Sequence, residues 1–295
     1  TPTPGVISGD QTICTGGEPS EITNTTSGTV SGGVTLSYRW ESSVSPFTSW
    51  NTINGAIAAA YDPPAGQIET THYRRITIGT LNAVSCESAP TNTIIVSVQS
   101  TPTPGVISGD QTICTGGDPS EISNTTSGTV SGGATLSYRW ESSISPFTSW
   151  NTINGANAAT YDPPAGQLET THYRRITVGT LNAVSCESAP TNTIIVSVQS
   201  TPTPGVISGD QTICTGGEPS EITNTTSGTV SGGVTLSYRW ESSVSPFTSW
   251  NTINGAIAAA YDPPAGQIET THYRRITIGT LNAVSCESAP TNTII

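Results

Sequence analysis

Residues 35–42 of the chain read TLSYRWES, and this stretch decides the fold. Its apolar residues Leu36, Tyr38 and Trp40 alternate with polar ones. Strict alternation predicts a β-strand with one face on a core and the other face in water. Trp40 lies in the middle of the apolar face, so we expect it to be the central core residue, with Tyr38 beside it.

Further strand patterns occur on both sides of this stretch. Residues 91–100 read TNTIIVSVQS and place Ile94, Val96 and Val98 on one face. Residues 72–79, HYRRITIG, are strand-like, but the pattern leaves open which face is buried. Tyr73 opens that strand in the manner of a tyrosine corner, whose hydroxyl bonds back to the backbone.

Turn-rich segments such as SGTVSGG and DPPAGQ separate the strand patterns, and no window has a sustained helical period. About seven short strands in about 100 residues are typical of an immunoglobulin-like β-sandwich. The predicted fold class is therefore all-β, with immunoglobulin-like sandwich domains.

The pattern repeats with a period of 100 residues. Repeat 2 differs from repeat 1 at eight positions, and repeat 3 matches repeat 1 at every residue present. A period of this length is the size of an independent domain rather than of a solenoid unit. We therefore expect three tandem domains at residues 1–100, 101–200 and 201–295, with the last strand of the third one truncated. The core tryptophan recurs as Trp140 and Trp240.

The composition excludes several classes of function. The chain has 9 basic residues, all of them Arg, against 21 acidic ones, for a net charge of −12. An acidic, lysine-free surface argues against nucleic acid and against anionic membrane surfaces. No stretch is apolar for long enough to insert directly into a membrane. Both ends of the sequence look cut, so it is interpreted as a window onto a longer array.

Each repeat carries two cysteines, and the six together are Cys14, Cys86, Cys114, Cys186, Cys214 and Cys286. A pairing that recurs in every repeat joins Cys14 to Cys86 within a repeat, or Cys86 to Cys114 across a joint. We favour the first, which predicts a peripheral staple from the entry segment to the loop before the last strand. Such a bridge departs from the immunoglobulin pattern, in which the disulfide packs on the core Trp.

The repeats resemble those of Bacteroidetes surface adhesins, above all the SprB-type gliding-motility adhesins of flavobacteria. The resemblance covers essentially the whole repeat, and its most specific elements are the following: Cys14 with Gly16 and Gly17, Tyr38, Trp40, Pro63, Pro64, Tyr73, Arg74, Arg75 and Cys86. It implies a very long protein secreted by the type IX system and displayed outside the outer membrane of a Gram-negative bacterium.

Catalytic and metal chemistry find little support. No G-x-S-x-G nucleophile motif is present, and His72 is the single histidine of its repeat. Single cysteines 72 positions apart lack the spacing of zinc ligands. Asp10, Glu18 and Glu21 are a weak calcium candidate, without a D-x-D-x-D-G loop. We expect no enzyme activity and no cofactor.

The leading hypothesis is a secreted cell-surface adhesin or filament segment that contacts a substratum or a surface polysaccharide. Identical repeats supply length, or many copies of one weak contact. A rival hypothesis is a glycan-binding module that uses Trp50 and Tyr61 as exposed aromatic contacts. A third is a self-assembling extracellular fibre in which copies of the repeat associate laterally.

Overall fold

The computed structural model describes residues 1–295 and contains β-strands but no helix, which confirms the all-β fold. Repeat 1 holds eight strands, one more than expected: β1 (Val6–Ser8), β2 (Gln11–Cys14), β3 (Thr23–Thr26), β4 (Thr35–Val44), β5 (Asn51–Thr52), β6 (Thr71–Leu81), β7 (Val84–Pro90) and β8 (Ile94–Gln99).

Repeat 2 has the same eight strands: β9 (Val106–Ser108), β10 (Gln111–Cys114), β11 (Ser123–Thr126), β12 (Thr135–Ile144), β13 (Asn151–Thr152), β14 (Thr171–Leu181), β15 (Val184–Pro190) and β16 (Ile194–Gln199). Repeat 3 has six: β17 (Val206–Ser208), β18 (Thr223–Thr226), β19 (Thr235–Val244), β20 (Asn251–Thr252), β21 (Thr271–Leu281) and β22 (Val284–Pro290).

Each complete repeat is an immunoglobulin-like sandwich of a small sheet on a large one. The small sheet pairs β1 with β3, and a bridge between Ile22 and Tyr61 extends it. The large sheet has the order β2-β8-β6-β4-β5, and β7 pairs with the far half of β6. Strands β2 and β8 run parallel, whereas the other pairs are antiparallel.

The core lies between the two sheets around Trp40, which is fully buried. Its indole nitrogen donates a hydrogen bond to the Ala58 carbonyl at 2.9 Å, so its one polar atom is satisfied. Tyr38 and Tyr73 are also buried, as are Trp140 and Trp240, and the predicted core residues are confirmed. Leu36 is the exception, because it lies near the start of β4 and is exposed.

Arg75 is the unexpected member of this core, with none of its surface exposed. Its guanidinium lies 4.4 Å from the ring centre of Tyr38 and donates to Asn24 Oδ1 at 2.7 Å. It also donates to the Ala59 carbonyl. Burial lowers the pKa of Arg75, but an arginine remains charged at neutral pH. The charge is therefore held by neutral oxygens and aromatic faces, and it ties the small sheet to the large one.

The inward face of β6 is thus the one that carries Tyr73 and Arg75, together with Thr77. Tyr73 does not form the expected tyrosine corner. Its hydroxyl accepts a hydrogen bond from the side chain of Gln67 at 3.2 Å rather than bonding to the backbone. Gln67 follows the DPPAG turn, so the bond fixes a loop that the sequence pattern leaves undefined.

The outer face of the large sheet carries a row of alternating charges. The Glu41 carboxylate accepts from Arg74 Nε at 2.7 Å and from Arg39 at 3.1 Å, and Arg39 also pairs with Glu87 on β7. Opposite charges on neighbouring strands stabilise their pairing. Glu41 was expected on a water-facing surface, but the two arginines cover it.

The contribution of the buried arginine to stability is best tested in repeat 2. The eight sequence differences of this repeat distinguish its peptides from those of the other repeats. Arg175→Ala leaves acceptors unpaired and opens a cavity, so we expect repeat 2 to lose about 3 kcal/mol of stability. Hydrogen exchange of repeat-2 peptides measures this loss. Arg139→Lys, on the outer face, is the control and should cost less than about 1 kcal/mol. Equal losses in the two variants would contradict the role of Arg175.

The row of alternating charges on the outer face predicts that the stability of repeat 2 depends on pH. Burial by itself raises the pKa of Glu141, but hydrogen bonds from Arg174 and Arg139 outweigh it and hold the pKa below its ordinary value. A carboxyl whose pKa is lower in the folded state than in the unfolded state stabilises the fold at every pH above its unfolded-state pKa. This stabilisation is lost as the pH falls through the folded-state pKa.

We therefore expect repeat 2 to lose stability from about pH 5 downward. Glu141→Gln should flatten that loss and lower the stability at neutral pH, as measured by hydrogen exchange between pH 3 and pH 7. Glu169→Gln is the control, because Glu169 is exposed and makes no ion pair. An unchanged pH profile in Glu141→Gln would show that the charge row does not contribute.

Candidate functional site at the joint between repeats

The cysteines join neighbouring repeats. Cys14 of repeat 1 is bonded to Cys186 of repeat 2, and Cys114 of repeat 2 is bonded to Cys286 of repeat 3. In both bridges the Cα atoms lie 5.6 Å apart, and the sequence separation is 172 residues. Cys86 and Cys214 are free and exposed. The joint between repeats is therefore a covalent site that recurs with the period of the array.

The favoured pairing of Cys14 with Cys86 was wrong, and so was the alternative of Cys86 with Cys114. Within a repeat, Cys14 lies beside Gln99, beyond the Thr71 end of β6, while Cys86 lies opposite Gly79 near its other end. Thr71 and Gly79 are eight positions apart along the strand, or about 26 Å. A disulfide requires Cα atoms within about 7 Å. Only an end-to-end neighbour brings the two kinds of cysteine together.

Polar contacts accompany each bridge. Gln99 is buried at the end of β8, and its side-chain amide donates to the Gly179 carbonyl of repeat 2 at 2.7 Å. Asn182, in the turn after β14, donates to the Thr12 hydroxyl of repeat 1 at 2.9 Å. The second joint repeats both bonds, from Gln199 to Gly279 at 2.7 Å and from Asn282 to Thr112 at 3.1 Å.

The connecting segment is held against the second repeat. Thr103 donates its amide to the Thr129 carbonyl at 3.0 Å, and the two hydroxyls also bond. Pro102 is buried, and its ring lies near Gly179. A Cβ on Gly179 would lie 2.7 Å from the Gln99 side-chain amide and 2.9 Å from a Val130 methyl group, so a larger residue at this position would displace them. The segment is packed structure that fixes the neighbouring repeats to each other.

Sequence reasoning missed Gln99, Asn182 and Gly179 as joint residues. In the sequence pattern Gln99 alternates with Ile94, Val96 and Val98 and falls on the opposite face, which gives no sign that its amide bonds to another repeat. Asn182 and Ala183 have positive φ values of 49° and 64°. An Asn in a hairpin turn was the one available signal, and it indicates a turn rather than a contact.

The predicted glycan contacts lie in less open positions than expected. Trp50 lies under the guanidinium of Arg74, whose carbon is 4.0 Å from the ring centre. Tyr61 packs against the core, with its ring 5.4 Å from that of Trp40 and 5.7 Å from that of Tyr73. Burial raises the pKa of Tyr61, as does the nearby charge of Asp62. The two rings do not form one exposed aromatic platform, and glycan binding stays a prediction.

The acidic candidates for calcium do not come together as a ligand set. Asp10 Oδ1 accepts the Ile95 amide at 2.7 Å, which fixes the turn between β1 and β2 against β8. Glu18 and Glu21 are exposed on the following loop. No group of three metal-ligating side chains occurs in the structure. His72 stacks on Phe47, with ring centres 3.9 Å apart.

No helix of the structure has the length and apolar character needed to cross a membrane. Disulfides such as those at the joints are typical of proteins in oxidising, extracellular compartments.

Comparisons with known proteins place the repeats in one family. The family described as "Domain of unknown function (DUF8696)" matches residues 3–100, 103–200 and 203–295. No curated protein matches the chain.

Several solved structures are similar to the chain. Chicken CNTN1 domains FN1–FN3 have 14% identity and a TM-score of 0.31, with 100% of this chain and 98% of that one covered. Titin domains A168–A170 have 12% identity and a TM-score of 0.36, with 98% and 96% covered. The three N-terminal domains of the bacteriophage RB49 outer capsid protein Hoc have 13% identity and a TM-score of 0.38, with 95% and 93% covered.

Trypsin distinguishes the pairings, because the chain has no Lys and its arginines separate the cysteines. The observed bridges predict that fragment 1–39 is linked to 176–239, and that 76–139 is linked to 276–295. Staples within repeats would instead join all four fragments into one species. A Cys86–Cys114 bridge would lie inside fragment 76–139. Non-reducing mass analysis of the digest decides between them, with the reduced digest as control.

Proposed function

The chain belongs to the DUF8696 family, and from the geometry of its joints we propose that it is a tensile segment of a secreted cell-surface adhesin. The observation that carries this proposal is the disulfide across each joint, because it connects repeats that already follow each other in the chain. A bridge of this kind adds no contact for a ligand. It determines how far the array extends under force.

The two bridges close overlapping loops, and the overlap shortens the covalent path. A path from Thr1 runs to Cys14, crosses to Cys186, returns to Cys114 and crosses to Cys286. It contains about 95 residues rather than the full chain of 295. With one bridge the shortest path has about 120 residues. Under tension, the bridges therefore limit the extension of the chain before most of its residues are stretched.

The same geometry applies to any longer array of these repeats. If Cys214 were bridged in the same way, about 28 residues between Cys186 and Cys214 would span two repeats. Fully extended they reach about 100 Å, which is comparable to two folded repeats placed end to end. Such an array transmits force at nearly constant length, as a stalk between a cell and a substratum must do.

The resemblance to SprB-type repeats supports a role in gliding motility and export by the type IX system. The acidic surface and the extracellular chemistry of the disulfides support display outside the cell. The substratum, or a polysaccharide on it, is the proposed partner. The repeats themselves act as a non-enzymatic spacer, since each joint supplies covalent and polar contacts between neighbouring repeats.

Single-molecule stretching tests the tensile role. At about 3.5 Å per residue, the oxidised chain should extend to about 330 Å and the reduced chain to about 1,030 Å. Cys14→Ser alone should extend to only about 430 Å, because the second bridge still limits the path. Cys14→Ser combined with Cys114→Ser should reach the reduced length without reductant. Equal increments for the first and second bridge would contradict the overlapping arrangement.

A cellular experiment tests the adhesive role separately. In the source bacterium, deletion of the gene should reduce attachment to glass and the speed of gliding. Replacement of every joint cysteine by serine should preserve display, measured by surface antibody labelling, but should increase detachment under flow. Normal attachment and gliding in the deletion strain would overturn the adhesin proposal and leave the mechanical behaviour of the purified chain unaffected.

A further inference from the structure

The two cysteines of each joint bridge differ in their exposure to solvent. Cys186 is only 2% exposed, and Cys286 at the second joint has the same value. Their partners, Cys14 and Cys114, are half-buried, so solvent still reaches that side of each bridge. The difference recurs at both joints, although repeats 1 and 2 differ at eight positions. Each bridge therefore has one covered side and one open side.

The side chain of Gln99 covers the Cys186 side of the first bridge. Cys186 lies directly opposite Gly179 in the β14–β15 hairpin. Opposite residues of an antiparallel pair direct their side chains to the same face of the sheet. A Cβ placed on Gly179 would lie 2.7 Å from the side-chain nitrogen of Gln99 and 3.3 Å from the Pro102 ring. The Gln99 amide and the proline ring therefore lie beside the Cys186 side chain.

The second joint has the same cover. Gln199 is buried, and its side-chain nitrogen would lie 2.9 Å from a Cβ on Gly279, the residue opposite Cys286. The side-chain oxygen atoms of Gln99 and Gln199 are buried and have no hydrogen-bond donor. A buried, neutral environment that offers an acceptor but no donor disfavours the negative charge of a thiolate. The covered side of each bridge is thus closed to solvent and unfavourable for a thiolate.

We propose that small external thiols, such as glutathione, exchange with each joint bridge at the sulfur of Cys14 or Cys114 rather than at the covered sulfur. Exchange requires contact between the attacking thiolate and the attacked sulfur, so access decides which sulfur reacts. Attack at Cys14 expels Cys186, which is the poorer leaving group, but a sulfur that is out of reach is not attacked at all. The inference rests on the geometry of the joints and holds whether or not the protein is an adhesin.

The exchange begins with one bond made and one broken. The glutathione thiolate bonds to the Cys14 sulfur, the bond from Cys14 to Cys186 breaks, and the Cys186 thiolate takes a proton from solvent. When Cys186 loses that proton again, it attacks the Cys14 sulfur, restores the bridge and expels glutathione, with no net oxidation. Alternatively, a second glutathione thiolate attacks the glutathione sulfur and expels the Cys14 thiolate. Two glutathione molecules are then oxidised to their disulfide, and the protein bridge is reduced to two thiols.

Reclosure is favoured because polar bonds hold the joint together without the sulfur atoms. Gln99 donates to the Gly179 carbonyl at 2.7 Å, and Asn182 donates to the Thr12 hydroxyl at 2.9 Å. These bonds keep Cys186 next to the mixed disulfide on Cys14. An intramolecular attack from a fixed position is much faster than attack by a second molecule from solution. Each joint is therefore expected to restore its own bridge after an exchange.

Mapping of the mixed disulfides tests the site of attack. In the variant with Cys86→Ser and Cys214→Ser, each of the four tryptic fragments that contain cysteine carries only one. The folded variant is treated briefly with glutathione and quenched with acid, and its thiols are blocked with N-ethylmaleimide in denaturant before digestion. Glutathione should be found on fragments 1–39 and 76–139, and maleimide on 176–239 and 276–295, with a preference of about tenfold or more.

The same variant unfolded in guanidinium is the control, and it should carry glutathione about equally on both sides of each bridge, because both sulfur atoms are then open to attack. An equal distribution in the folded variant, or an excess of glutathione on fragments 176–239 and 276–295, would overturn the proposal.

Gln99→Ala in the same background tests the cover over Cys186. Its removal opens that side of the first bridge, so glutathione on fragment 176–239 should rise about fivefold relative to fragment 1–39. The second bridge of the same molecule retains Gln199 and is the matched control, whose ratio should stay unchanged. A joint that is only loosened would exchange faster at both sulfur atoms of the first bridge. An unchanged ratio there would overturn the role of Gln99.

Discussion

The buried charge of Arg75 is the constraint on which each repeat depends. A guanidinium that has left water must find acceptors for its hydrogen atoms, and no carboxylate is near enough to serve. The acceptors are Asn24 of the small sheet and the Ala59 carbonyl of the loop before β6, while Tyr38 of the large sheet covers its face. Three segments distant in sequence must therefore meet at one point. The arginine selects one arrangement of the sandwich, whereas apolar contacts alone tolerate many.

The single arrangement of the two sheets in each repeat makes the joints possible. Cys14 and Cys186 belong to different repeats, and a bridge between them requires that two ends face each other with little freedom. The β6–β7 hairpin holds Cys86-type residues at one end of the sandwich, and the β2–β8 pair holds Cys14-type residues at the other. The bond from the Gln99 side chain to the Gly179 carbonyl then joins the facing ends of repeats 1 and 2. A sandwich with loosely defined ends would not bring the sulfur atoms together at every joint.

The sequence predicted the fold of the repeat well, because its strands are amphipathic and Trp40 lies in a strict alternation. It predicted the site poorly. Arg75 carries a charge, and its burial depends on acceptors 16 and 51 residues away. The cysteine pairing depends on which ends of the sandwich meet, and a search within one repeat or between nearest cysteines cannot find a separation of 172 residues. Periodicity reports which face of a strand is buried but not which repeat an edge contacts.

Near identity of the repeats follows from this kind of joint. Every internal repeat must present a Cys14-type face to the next repeat and a Cys86-type face to the previous one. The eight differences between repeats 1 and 2 leave both faces unchanged, and several lie at exposed positions such as Ile57 and Ile68. Overlapping loops also make the bridges partly redundant, since one intact bridge still limits extension. A joint that is both repeated and redundant allows the array to lengthen by duplication without a new interface being built each time.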